Sequence, residues 1–595
     1  GAFLIGMIHE IVMLRKLLSM YTKKHVRQYD LKRYIIENSI YGVDVDPGAV
    51  EICKLRAWLY MTVDEDGADK IEPLPNLDYR IVRGDALLSV EKNLFNMGLF
   101  EELEELKYLY FNEIDLSKKQ EYKLEIEKLI YQITNGRREF DFGVYFSEVF
   151  HQKGGFDIVI GNPPYIQLQK AADGKKYADL YKGEGYELFD RTGDIYCLFF
   201  ERGMKILKDK GHLAYITSNK WMRAGYGEKL RGFLAKYNPK VLIDLGPKVF
   251  DSASVDTCII VVQKSENEHR TKAVTIVDGR KNHVDISEIL KNDGVILSKL
   301  DNNTWFIGDD AEHRLKEKIE WNGRQLKDWN VRIYRGILTG LNEAFIIDSA
   351  KREEILRNCK DGEERHRTEE VIKPILRGRD VRRYYYEWTG SWVIVIPTGW
   401  TNKNKGSEEP ETFINRVFPS LMNYLRSFEA EAKRRDDHGN YWWELRSCLY
   451  YDEFEKEKVV WQRITQEPTF CLVDSGIYIL DSMAFFVSQQ NMKYLMAVLN
   501  SSTIQFYVKR IVHKYGFTGL RLSNQYVEIM PIPVITPSNE LIVEQIEDLV
   551  NTIISIKQQD AVRGTSRYEC EIDQLVYQLY NLTDEEIKII EKNSE

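Results

Sequence analysis

From residue 1 to about residue 265, the apolar positions alternate between helical spacing and short continuous runs. IHEIVMLRKLLSMY (8–21) repeats at helical spacing, SIYGVDVDP (39–47) is a short apolar run ending in acids, and GAVEICKLRAWLYMTV (48–63) is helical again. LDYRIVRGDAL (77–87) predicts a second strand closed by Gly-Asp, and FDIVIG (156–161) a third. After a loop to about residue 190, DIYCLFFERGMKIL (194–207) predicts a helix and GHLAYIT (211–217) a strand. GEKLRGFLAKY (227–237) is a further helix, followed by the strands KVLIDLG (240–246) and CIIVVQK (258–264). This alternation predicts an α/β fold, a doubly wound sheet covered by crossover helices. Two strands in direct succession at its end predict an antiparallel pair on one edge. Residues 97–135 interrupt the rhythm; charged and helical throughout, they read as an inserted arm.

Beyond residue 266 the texture changes. Short β-like runs (WVIVIP, KVVWQRI, FCLVD, IYILD) lie among long polar loops without a βα rhythm, which predicts a mixed α+β domain over 266–540. From 541 to 595 the chain is amphipathic and helical. The polar stretch KSENEHRTK (264–272) is the expected linker between the domain spanning 1–265 and the rest.

Size and composition narrow this only a little. At 595 residues the chain is too long for one core, and 43% hydrophobic with 29% charged residues is ordinary for a globular protein. The 35 tyrosines and 11 tryptophans supply flat stacking surfaces. A net charge of −9 carries no global sign of nucleic-acid binding, so any such site must be a local basic patch. Seven scattered cysteines, none in a CxxC pair, argue for a reducing cytoplasm and against a zinc site. No apolar run approaches the ~20 residues of a membrane helix. The chain opens with GAFLIGMIHEIVML, without Met and without a basic n-region, and reads as beginning in mid-domain.

In an open α/β sheet, ligands gather at the carboxyl ends of the strands. Asp44 and Asp46 end the first strand, where an acid can accept both hydroxyls of a ribose; Asp85, followed by Ala86, ends the second, where an acid can accept an adenine amine. Gly1, Ala2 and Phe3 resemble the end of a glycine-rich loop before a helix. Any one of these is also an ordinary strand-end residue. Asn162-Pro163-Pro164-Tyr165, which ends the third strand, is more specific. Each proline fixes its own φ and holds the preceding residue extended. The Asn162 amide oxygen and the Pro163 carbonyl then supply two acceptors for an exocyclic amine whose lone pair is delocalised into a ring. Gripping both N–H bonds favours the pyramidal nitrogen that can attack an electrophilic carbon, and Tyr165 offers a face on which a base can stack.

GAFL, YGVDVDPGAVEICKLRAWL, RGDALL and FDIVIGNPPYIQL resemble the motifs of bacterial adenine-N6 DNA methyltransferases. The resemblance is to the Eco57I-like and TaqI-like group, which includes type IIG restriction–modification enzymes and the large methyltransferases of phage-defence systems. TGDIYCLFFERGMKIL, GHLAYITSNKWMRAGYGEKLRGFL and VFDSASVDTCIIVVQK resemble the remaining blocks of that catalytic domain. GILTGLNEAFIID, VIKPILRGRDVRRY, VVWQRI and LMAVLNSSTIQFYVKR resemble its target-recognition region. The resemblance implies a Rossmann-like methyltransferase sheet with S-adenosyl-L-methionine as donor, Asp44 on its ribose and Asp85 on its adenine amine. It also implies Asn162, Pro163 and Tyr165 on a flipped target adenine, with Tyr226 as a candidate second aromatic. In the family the donor loop reads roughly Asp-Pro-Ala-Cys-Gly-Ser-Gly before Ala-Phe-Leu. Only Gly1–Leu4 remain here, which implies a piece of a longer chain.

Double-stranded DNA is the implied partner. In VIKPILRGRDVRRYYY (371–386), Lys373, Arg377, Arg379, Arg382 and Arg383 stand against one acid, Asp380, and are candidates for phosphate contacts. Type IIG enzymes carry a nuclease before the methyltransferase. The pair Glu121 and Lys123 in the helical arm is too ordinary to represent one, so a nuclease is expected only ahead of Gly1. Two alternatives stay open, a non-catalytic DNA-specificity fragment and, through the same NPPY turn, a protein glutamine methyltransferase.

Overall fold

The computed structural model describes residues 1–22, 27–63, 76–88, 97–134, 140–172, 175–247, 249–250, 255–276, 285–489, 491–512, 514–515 and 519–592. The last residue of the expected arm, 135, and the last three of the chain, 593–595, lie outside them. The chain forms two compact units, Gly1–Ile307 and Gly308–Glu595.

In the first unit, helix α1 (Ala2–Thr22) and α2 (Gln28–Ser39) lead to β1 (Gly42–Asp44), α3 (Pro47–Thr62) and β2 (Ile81–Arg83). Pro47 at the first helical position and the Asp46 carboxylate, which accepts from Gly48 N at 2.8 Å, start α3. The expected arm is a helical hairpin, α4 (Met97–Asn112) and α5 (Leu116–Ile133), whose apolar faces close on Leu103, Tyr110, Ile126 and Leu129. Then follow β3 (Phe156–Gly161), α6 (Tyr196–Ile206), β4 (Leu207–Ser218), α7 (Glu228–Ala235), β5 (Asn238–Gly246), β6 (Thr257–Gln263), β7 (Thr271–Thr275) and β8 (Val295–Leu297).

The expected α/β sheet is present in two pieces. One is six-stranded in the order β8-β7-β5-β6-β4-β3; the other is the parallel pair β1-β2. β3 runs parallel to β4, and β6 lies antiparallel between β4 and β5. The two successive strands pair as expected, but in the sheet's interior and not at its edge, because β7 and β8 extend it beyond β5. No described strand lies between β1 and β3, so these neighbours are joined by side chains alone. At their amino ends Tyr41 packs edge-on against Phe156 (5.5 Å between centroids), in a cluster with Val43, Phe146 and Val82. At their carboxyl ends, Leu87 packs with Ile166, Leu168 and Tyr181.

The linker expected at 264–272 is not a boundary. β7 begins at Thr271 and pairs in parallel with β5, and β8 adds to its free edge, so the sheet needs the residues up to 297. The stretch 264–270 is an internal loop held by Lys264 N to the Gly211 carbonyl at 2.8 Å.

The second unit is built on two four-stranded, largely antiparallel sheets. β9 (Arg332–Arg335) precedes β10 (Ile346–Asp348), β11 (Ile372–Leu376) and β12 (Ser391–Ile394). After them come β13 (Lys458–Gln462), β14 (Ile464–Thr465), β15 (Phe470–Val473), β16 (Tyr478–Ile479), β17 (Met483–Val487) and β18 (Gly519–Arg521). One four-stranded sheet has the order β9-β17-β13-β15, the other β10-β12-β11-β16. KVVWQ shows no alternation because both faces of β13 are buried, Val459 and Trp461 in one core and Val460 in another. The helical tail is α8 (Glu540–Gln559), α9 (Ser566–Leu579) and α10 (Asp584–Lys592), whose Val543, Ile546, Val576 and Ile590 enter the first of those cores.

Candidate active site and the recognition unit

The NPPY corner leaves the carboxyl end of β3. Asn162 and Pro164 are exposed, Pro163 is buried and Tyr165 is half-buried against the core beneath the six-stranded sheet. The Tyr165 hydroxyl donates to Asn162 Oδ1 at 2.8 Å. Burial pushes that phenol up to about 12, so it stays protonated and remains a donor. The Asn162 Nδ2 and the Pro163 carbonyl have no hydrogen-bond partner among the described residues. An amide on the surface with its ring neighbour, beside an uncommitted carbonyl, is the disposition needed to receive an external amine.

Tyr226, just before α7, is linked to the segment that continues from the NPPY corner through Asp194, just before α6. Gln167 bridges Asp194, and Leu168 N donates to the Gly193 carbonyl at 2.9 Å. The Tyr226 hydroxyl lies 2.7 Å from that of Tyr196 and faces Asp194, whose carboxyl is raised by burial and lowered in turn by Tyr226 and nearby lysines. The Tyr226 ring packs on the same core as Tyr165.

The two acids of β1 and β2 stand side by side. Asp44 pairs in register with Arg83, and Gly84 N donates to the Asp44 carbonyl at 2.9 Å, so Asp85 lies just beyond. Gly84 is required there, because a Cβ would meet Phe140 at 2.4 Å. Among the described residues Asp44 Oδ1 accepts the amide of Asp46 alone, at 2.9 Å, leaving most of an exposed carboxylate open. Asp46 differs from expectation: its carboxylate caps α3. Asp85 accepts Leu87 N on Oδ1 (2.9 Å) and the Tyr181 hydroxyl on Oδ2 (2.8 Å), and each oxygen keeps a lone pair. Gly1, Ala2 and Phe3 are exposed at the start of α1, with Gly1 against Cys53 of α3; Ala86 is half-buried in the turn after Asp85. Two open carboxylates on adjoining parallel strands fit the ribose and adenine of S-adenosyl-L-methionine as a donor set.

Sequence reasoning missed what fixes Asp85. Tyr181 lies 96 residues away, Tyr186 donates to the Leu87 carbonyl (2.6 Å), and Arg202 of α6 donates to the carbonyls of Leu87 and Leu88 at 3.0 and 3.1 Å. The same loop is tied to the NPPY corner, since Ala178 N donates to the Leu168 carbonyl at 2.8 Å. Nothing local in the sequence signals contacts of that separation.

In the second unit, the basic segment is less free than its composition suggests. Lys373 on β11 lies 3.3 Å from Glu455. Arg377 caps a turn with Asp380, which accepts its main-chain N–H at 2.7 Å. Arg382 reaches two carbonyls and Glu387 (3.3 Å). Arg383 departs furthest from a phosphate contact: its guanidinium is spent on Glu569 (2.9 Å) and the Asn500 carbonyl (2.6 Å). Arg379 is 69% exposed and only loosely paired, 3.9 Å from Asp380.

A mixed α/β sheet with this corner at a strand end, followed by a β-rich second unit, resembles the architecture of restriction–modification methyltransferases with a C-terminal specificity domain. Residues 38–250 match the family "Eco57I restriction-modification methylase" and residues 373–532 the "TaqI-like C-terminal specificity domain", so the chain is homologous to type II restriction–modification methyltransferases. RM.Eco57I of Escherichia coli, a type II restriction enzyme and methyltransferase, is 25% identical over 413 residues, covering 67% of this chain but 36% of that protein. The type II methyltransferase M.BstVI of Geobacillus stearothermophilus is 23% identical over 463 residues, 73% of this chain and 75% of its own length. Among solved structures, the type IIL restriction–modification enzyme MmeI in complex with DNA has the same fold, with a TM-score of 0.55 at 12% identity over 98% of this chain and 76% of that one.

Proposed function

We propose that this chain transfers a methyl group from S-adenosyl-L-methionine to N6 of an adenine flipped out of double-stranded DNA, as the modification part of a restriction–modification system. The observation that carries the reading is the exposed Asn162 amide, held by the Tyr165 hydroxyl next to an uncommitted Pro163 carbonyl. Homology to type II methyltransferases supports DNA over a protein glutamine as the acceptor.

Asn162 Oδ1 and the Pro163 carbonyl each accept one N–H of the target amine. Their pull favours a pyramidal nitrogen, whose lone pair no longer belongs to the ring. Tyr165 stacks on the base, offsetting part of the few kcal/mol needed to unstack it from the duplex. Asp44 and Asp85 hold ribose hydroxyls and an adenine amine of the donor. When bound, the donor supplies an electrophilic methyl group.

Tritium transfer from labelled donor to an adenine-containing duplex tests this, with these residues in their full natural chain. Asn162→Ala should lower the rate by about 10²–10³-fold, the usual cost of one such acceptor or donor. Label on a protein instead would favour the glutamine reading, and duplex binding without transfer the specificity fragment.

A further inference from the structure

Three arginines far apart in sequence meet at one end of the β9-β17-β13-β15 sheet. Arg335 is the last residue of β9, opposite Ala484. Arg463 follows the last residue of β13, and its amide donates to the Ser482 carbonyl at 3.0 Å. Arg521 closes β18, in register with Ile464. Gly336 keeps that end tight, since a Cβ there would lie 1.9 Å from the Leu480 carbonyl oxygen. Arg335 and Arg521 are exposed, and neither forms an ion pair among the described residues. Arg463 is half-buried; its Nη1 reaches the Asp481 carbonyl at 3.2 Å, while its Nε is buried without a partner. Its guanidinium is pushed below the usual arginine range by burial and then by the charges of Arg335 and Arg521, with Asp481 the single acid opposing them. Arg379 stands nearby, because Gln462 Nε2 donates to the Gly378 carbonyl at 2.7 Å and fixes that turn beside β13.

Gathering like charges is unfavourable, and a chain with net charge −9 has acids enough to have paired them. The arrangement becomes favourable when an anion with several oxygens sits among the guanidinium forks. We propose that Arg335, Arg463 and Arg521 seat adjacent phosphates of one DNA strand, fixing the register of the duplex on the recognition unit. This rests on the DNA-methylation reading. The seat lies outside the basic segment 371–386 except for Arg379, and phosphate contacts of this kind position a duplex without reading its bases.

The test is fluorescence anisotropy of a labelled mixed-sequence 30-base-pair duplex over a salt series. Arg335→Gln and Arg521→Gln should each reduce the slope of log affinity against log salt by about 1, and Arg→Lys at the same positions should restore it. Arg416→Gln, an exposed arginine paired with Glu408, should leave the slope unchanged. Arginine modification by phenylglyoxal, mapped by mass spectrometry on the unaltered chain, should show Arg335 and Arg521 protected by the duplex. Variants with the parental slope and no protection overturn the seat while leaving the DNA reading standing. An unaltered chain that binds no duplex removes that reading as well. Weakening confined to one particular sequence would mean base reading, and would also overturn the seat.

Discussion

At Tyr165 the ring and the hydroxyl can be separated by mutation. The hydroxyl orients Asn162 at 2.8 Å, and on the proposed reading the ring stacks on the base. Tyr165→Phe keeps the ring and removes one hydrogen bond, worth about 0.5–1.5 kcal/mol, so kcat should fall by roughly 3–10-fold with little change in KM for DNA. Tyr165→Ala also loses the stacking surface, about 1–3 kcal/mol more, and should raise KM as well. Equal losses in the two variants would sink this division of labour. Tyr181 permits a similar separation on the donor side, because its hydroxyl aims Asp85 Oδ2. S-adenosylhomocysteine should bind more tightly than its inosine counterpart, which lacks the amine. Tyr181→Phe should shrink that preference by about tenfold, equivalent to ~1.4 kcal/mol. If calorimetry shows both ligands weakened equally, Tyr181 is only a packing residue; if Asp85→Asn also leaves the preference intact, Asp85 is not on the amine.

At the scale of elements, the runs with a strong period were legible. FDIVIG, GHLAYIT, KVLIDLG and CIIVVQK are all strands of one sheet, and the arm expected at 97–135 is helical over Met97–Asn112 and Leu116–Ile133, folded back as a hairpin. The carboxyl ends of β1, β2 and β3 could be read too, because strand-end chemistry is local. The contacts that close over them could not: Tyr181 to Asp85, or Asp194 to Tyr226, depend on where a loop returns. Charge composition misled for a related reason. Arg383 looks like its neighbours in VRRYYY, yet Glu569 in α9 claims it. Arg383→Ala should therefore lower stability by about 1–3 kcal/mol, measured by urea unfolding, and leave the salt slope of DNA binding unchanged. A reduced slope at parental stability would return Arg383 to the DNA surface. Lys458 in β13 is a second buried cation no pattern exposed. Its amine donates to the carbonyls of Lys456 (2.7 Å) and Asp474 (3.2 Å), and burial pulls it down to about 8, against partial support from Glu455 and Asp474. Above pH 8 the unfolded chain holds a proton on this lysine that the folded chain has released, so the Lys458 contribution to stability rises with pH until the ordinary lysine range is reached. Buried thiols such as Cys197, Cys258 and Cys471, raised by burial, pull the other way as the unfolded chain's cysteines ionise, so the effect is read as a difference. Between pH 8 and 9.5 the parental chain should gain of order 1–2 kcal/mol relative to Lys458→Met.

At the scale of the whole molecule, the balance of charge sets how salt should act on DNA binding. The chain is acidic overall, and several cations of its most basic segment are occupied internally, Lys373 by Glu455, Arg382 by Glu387 and Arg383 by Glu569. The phosphate contacts proposed above are the three-arginine seat and Arg379, with Lys373 and Arg382 if the duplex outcompetes their glutamates. At about 0.9 counterions released per phosphate neutralised, three to six contacts give a slope of roughly −3 to −5. Raising salt from 50 to 200 mM then costs about 40-fold to 2,000-fold, at or below the low end of the 10³–10⁵ typical of proteins that make 6–10 such contacts. Repulsion between the duplex and the acidic remainder acts within a Debye length of about 10 Å at 0.1 M and weakens as salt rises, which flattens the dependence further. Affinity must therefore come largely from contacts to bases and from the flipped adenine at Tyr165, and those are insensitive to salt. Replacing the target adenine by an abasic site removes the stacking partner and spares the phosphates. It should weaken binding by a similar factor at 50 and at 200 mM, with the slope unaltered. A slope near −8 or steeper would mean that this acidic protein holds DNA chiefly by its backbone, through further cations.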